Sequence, residues 1–291
     1  MTRLTPRFLL TFLGVFSAVA TSHAAVQPKP ARTTSLSEVS TSTWEISIAS
    51  GYGYLENPIA GKRDSETYLL PSFSYYGKRF FVSDLTVGYS LLENKNVYLD
   101  LVARPNEDGL YFQLDKNKAA DGLVTNWFTH FQAPNPEDVE RKVSVVGGPS
   151  VTLVSDWVDV SFSWFHDLSN VHHGSEAHLS FDKQYPLFAG AIGFGIGAIQ
   201  KDADLVSYYY QFSEQEADIF YNRYLAAHPA DDATDTYARV HFSYPLGKHL
   251  SLRLAARYND FDEAGRNARF IDKPHTLSWF AGLQYAFGSG H

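Results

Sequence analysis

Residues 166–178 gather the chain's densest set of reactive side chains: His166, Asp167, His172, His173, Ser175, Glu176 and His178. They include every residue type of a Ser-His-acid triad and enough imidazoles for a metal. Neither spacing is diagnostic. His172 and His173 are adjacent, so on an extended strand they point to opposite faces. Residues 169–174 read as a loop tip, where fixed geometry is hard to hold. The plain reading is a solvated polar loop, ahead of a weak metal site and of lipid hydrolysis by Ser175 and His173. No Gly-x-Ser-x-Gly or His-Glu-x-x-His motif occurs. Gly190, Gly193, Gly195 and Gly197 lack the Lys-Ser/Thr and helix start of a phosphate loop. Within a strand they ease curvature or leave space. No catalytic, cofactor or metal set is assigned.

The elements around these residues have period two. Trp44, Ile46 and Ile48 alternate with Glu45, Ser47 and Ala49. Val158, Val160, Phe162 and Trp164 alternate with Asp159, Ser161 and Ser163, and Leu250, Leu252 and Leu254 with Ser251, Arg253 and Ala255. Alternation places one set on each face of a strand. The strands are long, aromatics cluster at their ends (Tyr52, Tyr54, Tyr75, Tyr76, Trp157), and the polar face carries charges that a sandwich core could not bury unpaired. These features favour an antiparallel up-and-down transmembrane β-barrel, in which only closure satisfies every backbone group. Asp84, Thr86, Ser90, Asp159, Arg253 and Arg257 then face the lumen. They set solute selectivity if it is open, or pair internally if it is filled. The narrow interior of a barrel this size favours filling.

Evident strands number 11 when counted from the alternation, and a bacterial barrel normally has an even number. A short strand at 110–114, after the turn-like 105–109, is the preferred repair and gives about 12. Splitting the 67–91 region at Ser83-Asp84 is the alternative, and 10 strands stay open. One helix is expected near 214–227, where Ser213 and Glu216 form a capping box and Pro229 ends it.

Arg3 and Arg7 precede a largely apolar run over 8–20, and Ser22-His23-Ala24 offers small residues at a cleavage site. This pattern predicts a signal peptide over 1–24. A Pro/Ser/Thr-rich lead-in follows over 25–43, then the barrel over 44–287 and an extension over 288–291. The absence of cysteine excludes disulfides, thiol chemistry and a lipidated N-terminal cysteine. Asp and Glu number 32 against 24 for Lys and Arg, which argues against nucleic acid as a partner. Outer-membrane lipids are the expected surroundings.

Several segments resemble the MipA/OmpV family of outer-membrane proteins. They are Tyr208-Tyr209-Tyr210 with Glu216, Ala217 and Tyr224; Leu70-Pro71 with Gly77; His166 to Ser169 before Gly174; and Arg141 before Val143 and Gly147. Gln211-Phe212 stands where the family usually has Gly-Val. The terminal segment ending at Phe287 resembles the signal read by the barrel-assembly machinery. The resemblance implies a non-enzymatic envelope protein. The family's namesake is a scaffold joining a lytic transglycosylase to a bifunctional penicillin-binding protein; other members are described as adhesins or porin-like proteins. A passive channel or adhesin is therefore the alternative, and a lipid hydrolase the remaining one.

Overall fold

A computed structural model describes residues 43–59, 62–113, 141–211, 230–262 and 271–288. The expected leader, all but the last residue of the lead-in, the expected 214–227 helix and the residues after 288 lie outside these segments.

Twelve antiparallel strands close into a barrel. They are β1 (Thr43–Leu55), β2 (Ser65–Tyr76), β3 (Phe80–Ser83), β4 (Thr86–Glu93), β5 (Val97–Pro105), β6 (Val145–Leu153), β7 (Asp159–Asp167), β8 (Ser175–Leu187), β9 (Gly190–Lys201), β10 (Ala233–Pro245), β11 (Leu250–Asp260) and β12 (His275–Gly288). Each pairs with its sequence neighbours, and β1 meets β12 from Glu45↔Gly288 to Leu55↔Ser278. Short turns join the strands at one end and long connections at the other, except that β3 and β4 are joined by a two-residue turn at Asp84; this is the pattern of periplasmic turns and external loops.

The period-two reading describes the wall. On β7, Phe162 and Trp164 are exposed while Ser161, Ser163 and Phe165 are buried. Inside, hydroxyls pair across strands: Ser150 with Ser163 at 2.7 Å and Thr152 with Ser161 at 2.8 Å. Outside, Tyr52 packs at 5.2 Å from Trp279 and 5.6 Å from Tyr68, as an interfacial aromatic girdle would.

The count of twelve is reached by the split at Ser83-Asp84, and the strand expected at 110–114 is corrected. Residues Glu107–Gln113 form a helix, α1. The Asn106 side chain accepts the Gly109 N–H at 3.2 Å, a helix N-cap. Leu110, Tyr111 and Phe112 are consecutive and all buried, which an alternating wall strand cannot achieve. The second described helix, α2 (Ala203–Tyr210), starts at Asp202, whose carboxylate accepts the Leu205 N–H.

β3 is short, so β2 has a partner on that side only over 74–76. One step further along, Asp84 donates its N–H to the Phe73 carbonyl and its carboxylate accepts the Phe73 N–H. Pro71 lies two residues before Phe73, so its missing N–H falls on the same side, where no ladder needs it.

Candidate functional site

The external mouth of the barrel holds α1 and α2, packed into one apolar core. Leu110, Tyr111, Phe112, Leu205, Val206, Tyr209 and Tyr210 meet Ala49, Leu55 and Leu70 from the wall. Phe112 stacks on Tyr209 at 6.1 Å.

Below this core, two acids on α1 are gripped by the wall. Glu107 pairs with Arg104 of β5 at 3.1 Å and Arg257 of β11 at 3.2 Å. Arg104 also holds Glu176 of β8 at 3.1 Å, and Asn106 donates to that carboxylate at 2.8 Å. Asp108 pairs with Lys201 of β9 at 2.7 Å; Lys201 reaches Asp235 of β10 at 2.5 Å. The Tyr210 hydroxyl donates to Asp108. Burial raises both α1 carboxyls, but the outcomes differ. Arg257 and Arg104 outweigh it at Glu107, which stays below the ordinary carboxylate range. Asp108 must share Lys201 with Asp235, and its carboxyl stays raised. These groups line a cavity of about 20 Å³ with His178 and Tyr237, room for about one water.

Of the family-like residues, Arg141 and Tyr208-Tyr209-Tyr210 build this plug. Arg141 donates from Nε to the Tyr208 carbonyl at 2.5 Å and from Nη2 to the Gln211 carbonyl at 2.8 Å, closing the C-terminus of α2. The Tyr208 hydroxyl accepts the Lys142 N–H at 3.0 Å. The Tyr209 hydroxyl accepts the Ser144 N–H at 3.2 Å and donates toward the Lys142 carbonyl or the Ser144 hydroxyl, each 3.1 Å away. Gly77 lies in the β2–β3 turn, its N–H donating to Phe80. Phe287 lies on β12, its ring 4.7 Å from Tyr285. Glu216, Ala217 and Tyr224 lie outside the described residues.

The residues expected in the lumen part company. Arg257 is buried, held to Glu107, with its guanidinium 4.4 Å from the Tyr237 ring centre. Arg253 is exposed and donates to Gln284, which donates to Ser47. Thr86 is buried and Ser90 half-buried on β4. Asp159 pairs with Lys183 at 3.5 Å and accepts the Ser155 N–H at the foot of the wall. Asp84 occupies the β3–β4 turn with φ 51° rather than a strand.

The reactive cluster is divided. His166 and Ser175 are 3.0 Å apart at the external end of the β7–β8 pair, where His166 is exposed and its ring stacks on Trp164. Asp167 is buried, and its carboxylate accepts the N–H groups of Ser169, Val171, His172 and His173. It organises the 168–174 loop and is no partner for His166. A second pair was not anticipated: His172 Nε2 lies 3.0 Å from the Ser144 hydroxyl. Gly174 N–H donates to His172 Nδ1 at 2.9 Å, so the ring proton sits on Nε2 and points at Ser144. Burial lowers the His172 pKa and keeps it neutral. In that tautomer His172 cannot take a proton from Ser144, and the pair is structural.

The glycines of β9 have a steric role that periodicity alone could not give. Gly193, Gly195 and Gly197 stand opposite His241, Arg239 and Tyr237 of β10. A Cβ at Gly193 would lie 2.0 Å from the His241 ring, and one at Gly197 would lie 2.5 Å from the Tyr237 ring. The bare strand is a channel across which these side chains lie. Gly174 serves similarly for α2, since a Cβ there would lie 2.3 Å from Asp202. A filled lumen was expected, but the two helices that fill it were missed, though Asp202 followed by Leu205, Val206, Tyr209 and Tyr210 is a legible helix signal.

YiaT of Escherichia coli (strain K12), which carries the name of an outer membrane protein, is 27% identical over 252 residues, spanning 84% of this chain and 91% of that one. Among solved structures, the TodX deltaS2S3 mutant monoaromatic hydrocarbon channel aligns with a TM-score of 0.43 at 8% identity, over 96% of this chain and 99% of that chain. The outer membrane protein OprG from Pseudomonas aeruginosa aligns at 0.23 and 10% identity, over 86% and 99%. The family described as MltA-interacting protein MipA matches residues 48–287, a span running from within β1 to the end of β12. With that match and a closed twelve-stranded wall, the chain belongs to the MipA family and is an outer-membrane β-barrel protein.

Proposed function

We propose that this protein is a non-enzymatic scaffold of the cell envelope, a stoppered barrel that holds a murein enzyme at its periplasmic end. The observation that carries this reading is the plug. Arg104, Glu176, Lys201, Asp235 and Arg257, from five strands, converge on α1 or on its partners and leave a cavity of about 20 Å³. A diffusion pore needs a continuous water path, and among the described residues α1 and its ion pairs fill the upper lumen where that path would run. The family's description as MltA-interacting supports a lytic transglycosylase as the first partner, with a bifunctional penicillin-binding protein as the second.

The test pairs two measurements on the mature protein refolded in lipid. Planar-bilayer recording is expected to be silent, and immobilised protein is expected to retain purified MltA. Reproducible conductance steps without MltA binding would replace this reading with the channel. That second reading draws on Arg253, whose exposed guanidinium marks a wet lower lumen. Under it, neutralising Arg253 or Arg257 changes the conductance.

A further inference from the structure

The periplasmic end is finished differently on its two sides. The turns at 77–79 and 94–96 carry Lys78, Arg79 and Lys95, all exposed, and no apolar residue. The next three turns each put a large apolar side chain into solvent. Trp157 is 86% exposed in the β6–β7 turn, Phe188 91% in the β8–β9 turn, and Leu246 52% in the β10–β11 turn. Adjacent hairpins are two strands apart, so neighbouring tips stand roughly 10 Å from each other along the rim.

Each tip is held by a rigid turn. The Ser155 hydroxyl accepts the N–H groups of Trp157 and Val158 and donates to the Val158 carbonyl at 2.6 Å. Lys183 donates to the Ser155 carbonyl. Leu187 pairs directly with Gly190, leaving a two-residue turn in which Phe188 adopts φ 56°. A bulky residue there is strained, where glycine or asparagine would be relaxed. Leu246 and Gly247 both donate to the Leu250 carbonyl, and a Cβ at Gly247 would meet nothing within 4 Å. Large apolar groups presented on pre-organised turns without packing are the make-up of binding hot spots.

From this arrangement we infer that the arc of Trp157, Phe188 and Leu246 is the surface on which a folded periplasmic protein docks, with an acidic patch facing Lys78, Arg79, Lys95 and Lys248. Asp156 is the one acid in these five turns, so the rim is cationic and complementary to an acidic partner. A lipid surface surrounds the barrel evenly and would call for apolar tips on every turn. The one-sided arc fits a body anchored on that side and reaching across the rim to Lys78, Arg79 and Lys95. This inference rests on the scaffold reading and locates its contact surface.

The experiment measures MltA binding to the mature protein in nanodiscs. It compares the wild type with Trp157→Ser/Phe188→Gly/Leu246→Ser and with Lys95→Glu/Lys248→Glu. Heat-modifiable gel mobility verifies that each is folded. The triple variant is expected to bind at least about tenfold more weakly. The charge-reversed variant is expected to associate several-fold more slowly and to lose the salt dependence of the wild type. Wild-type binding that the triple variant retains in full overturns the surface and leaves the scaffold reading standing. A triple variant that binds MltA normally but loses its hold on phosphatidylglycerol nanodiscs makes the tips lipid anchors and also overturns it. No binding of MltA by the wild type overturns the scaffold reading, and this inference with it.

Discussion

At the external mouth, polar and aromatic side chains turn inward and find partners: Asp108 meets Lys201, Tyr209 meets Ser144, and Arg141 closes α2. At the periplasmic rim, Trp157 and Phe188 turn outward and are almost fully exposed among the described residues. One end uses its large residues to hold the chain's own helices. The other leaves them free. Stability should therefore reside in the mouth and recognition at the rim, and substitutions should separate the two.

The largest effect is expected at Lys201. Lys201→Met leaves Asp108 and Asp235 buried without their cation, which costs about 3–5 kcal/mol of stability. Urea unfolding in lipid measures it, and release of α1 would appear as new conductance steps. Asp108→Asn removes one of two acids competing for the same lysine and should cost far less. The two acids of α1 also differ in pH dependence. Glu107 is held below its ordinary value, so its contribution is complete above pH 4.5, where the unfolded carboxyl ionises, and is lost as pH falls through the lower folded value. Asp108 is raised, so its charged form opposes folding and protonation on acidification relieves that. Acid opening that begins below the ordinary carboxylate range, and disappears in Glu107→Gln, is the expected signature in bilayer recordings.

Arg141 comes next. Arg141→Ala removes two charge-assisted hydrogen bonds from the end of α2, about 1.5–3 kcal/mol. The expected readout is protease cleavage near residue 211 with the barrel wall intact. Loss of the whole barrel instead would mean that the plug and the wall fold as one unit, which would weaken the contrast between the two ends.

The wall was largely legible in the sequence because a lipid-facing strand must alternate, and Phe162 and Trp164 against Ser161 and Ser163 state that rule directly. The plug was not, because its helices are short and buried on most sides. Leu110, Tyr111 and Phe112 give the same apolar run whether they form a strand or one buried turn of helix. The signal that separates them is Asn106 ahead of two acids, a helix start that the turn-like 105–109 obscured. Pairing was also invisible. Arg257 could be assigned to the lumen from its alternation with the leucines of β11. That it meets Glu107, 150 positions earlier in the chain, follows only from closure of the barrel. Of the rim tips, Trp157 reads as a girdle aromatic because its place at a strand end says where it sits, not whether anything packs on it.

A smaller effect is expected from the bare strand β9. Gly195→Val would drive a side chain into Asp182, 2.1 Å from the Cβ position, and into Arg239. Both acceptor and donor can shift, so the cost is about 1–3 kcal/mol rather than failure to fold. Unfolding of this variant in lipid should show a wall weakened between β8 and β10 while the mouth stays shut.

The smallest effect is the one that most sharpens the comparison. Phe188→Gly removes a large aromatic and also relieves a left-handed backbone at φ 56° that disfavours L side chains by about 1–2 kcal/mol. Glycine returns part of that gain, about 0.4–1 kcal/mol, through the freedom it adds to the unfolded chain. The phenyl ring is 91% exposed, so little packing is lost. The balance is a variant as stable as the parent or more stable by up to about 1.6 kcal/mol. Urea unfolding in lipid checks it. A clear loss of stability would show that the Phe188 ring is buried in the membrane interface, and the rim would then belong to the same stabilising architecture as the mouth.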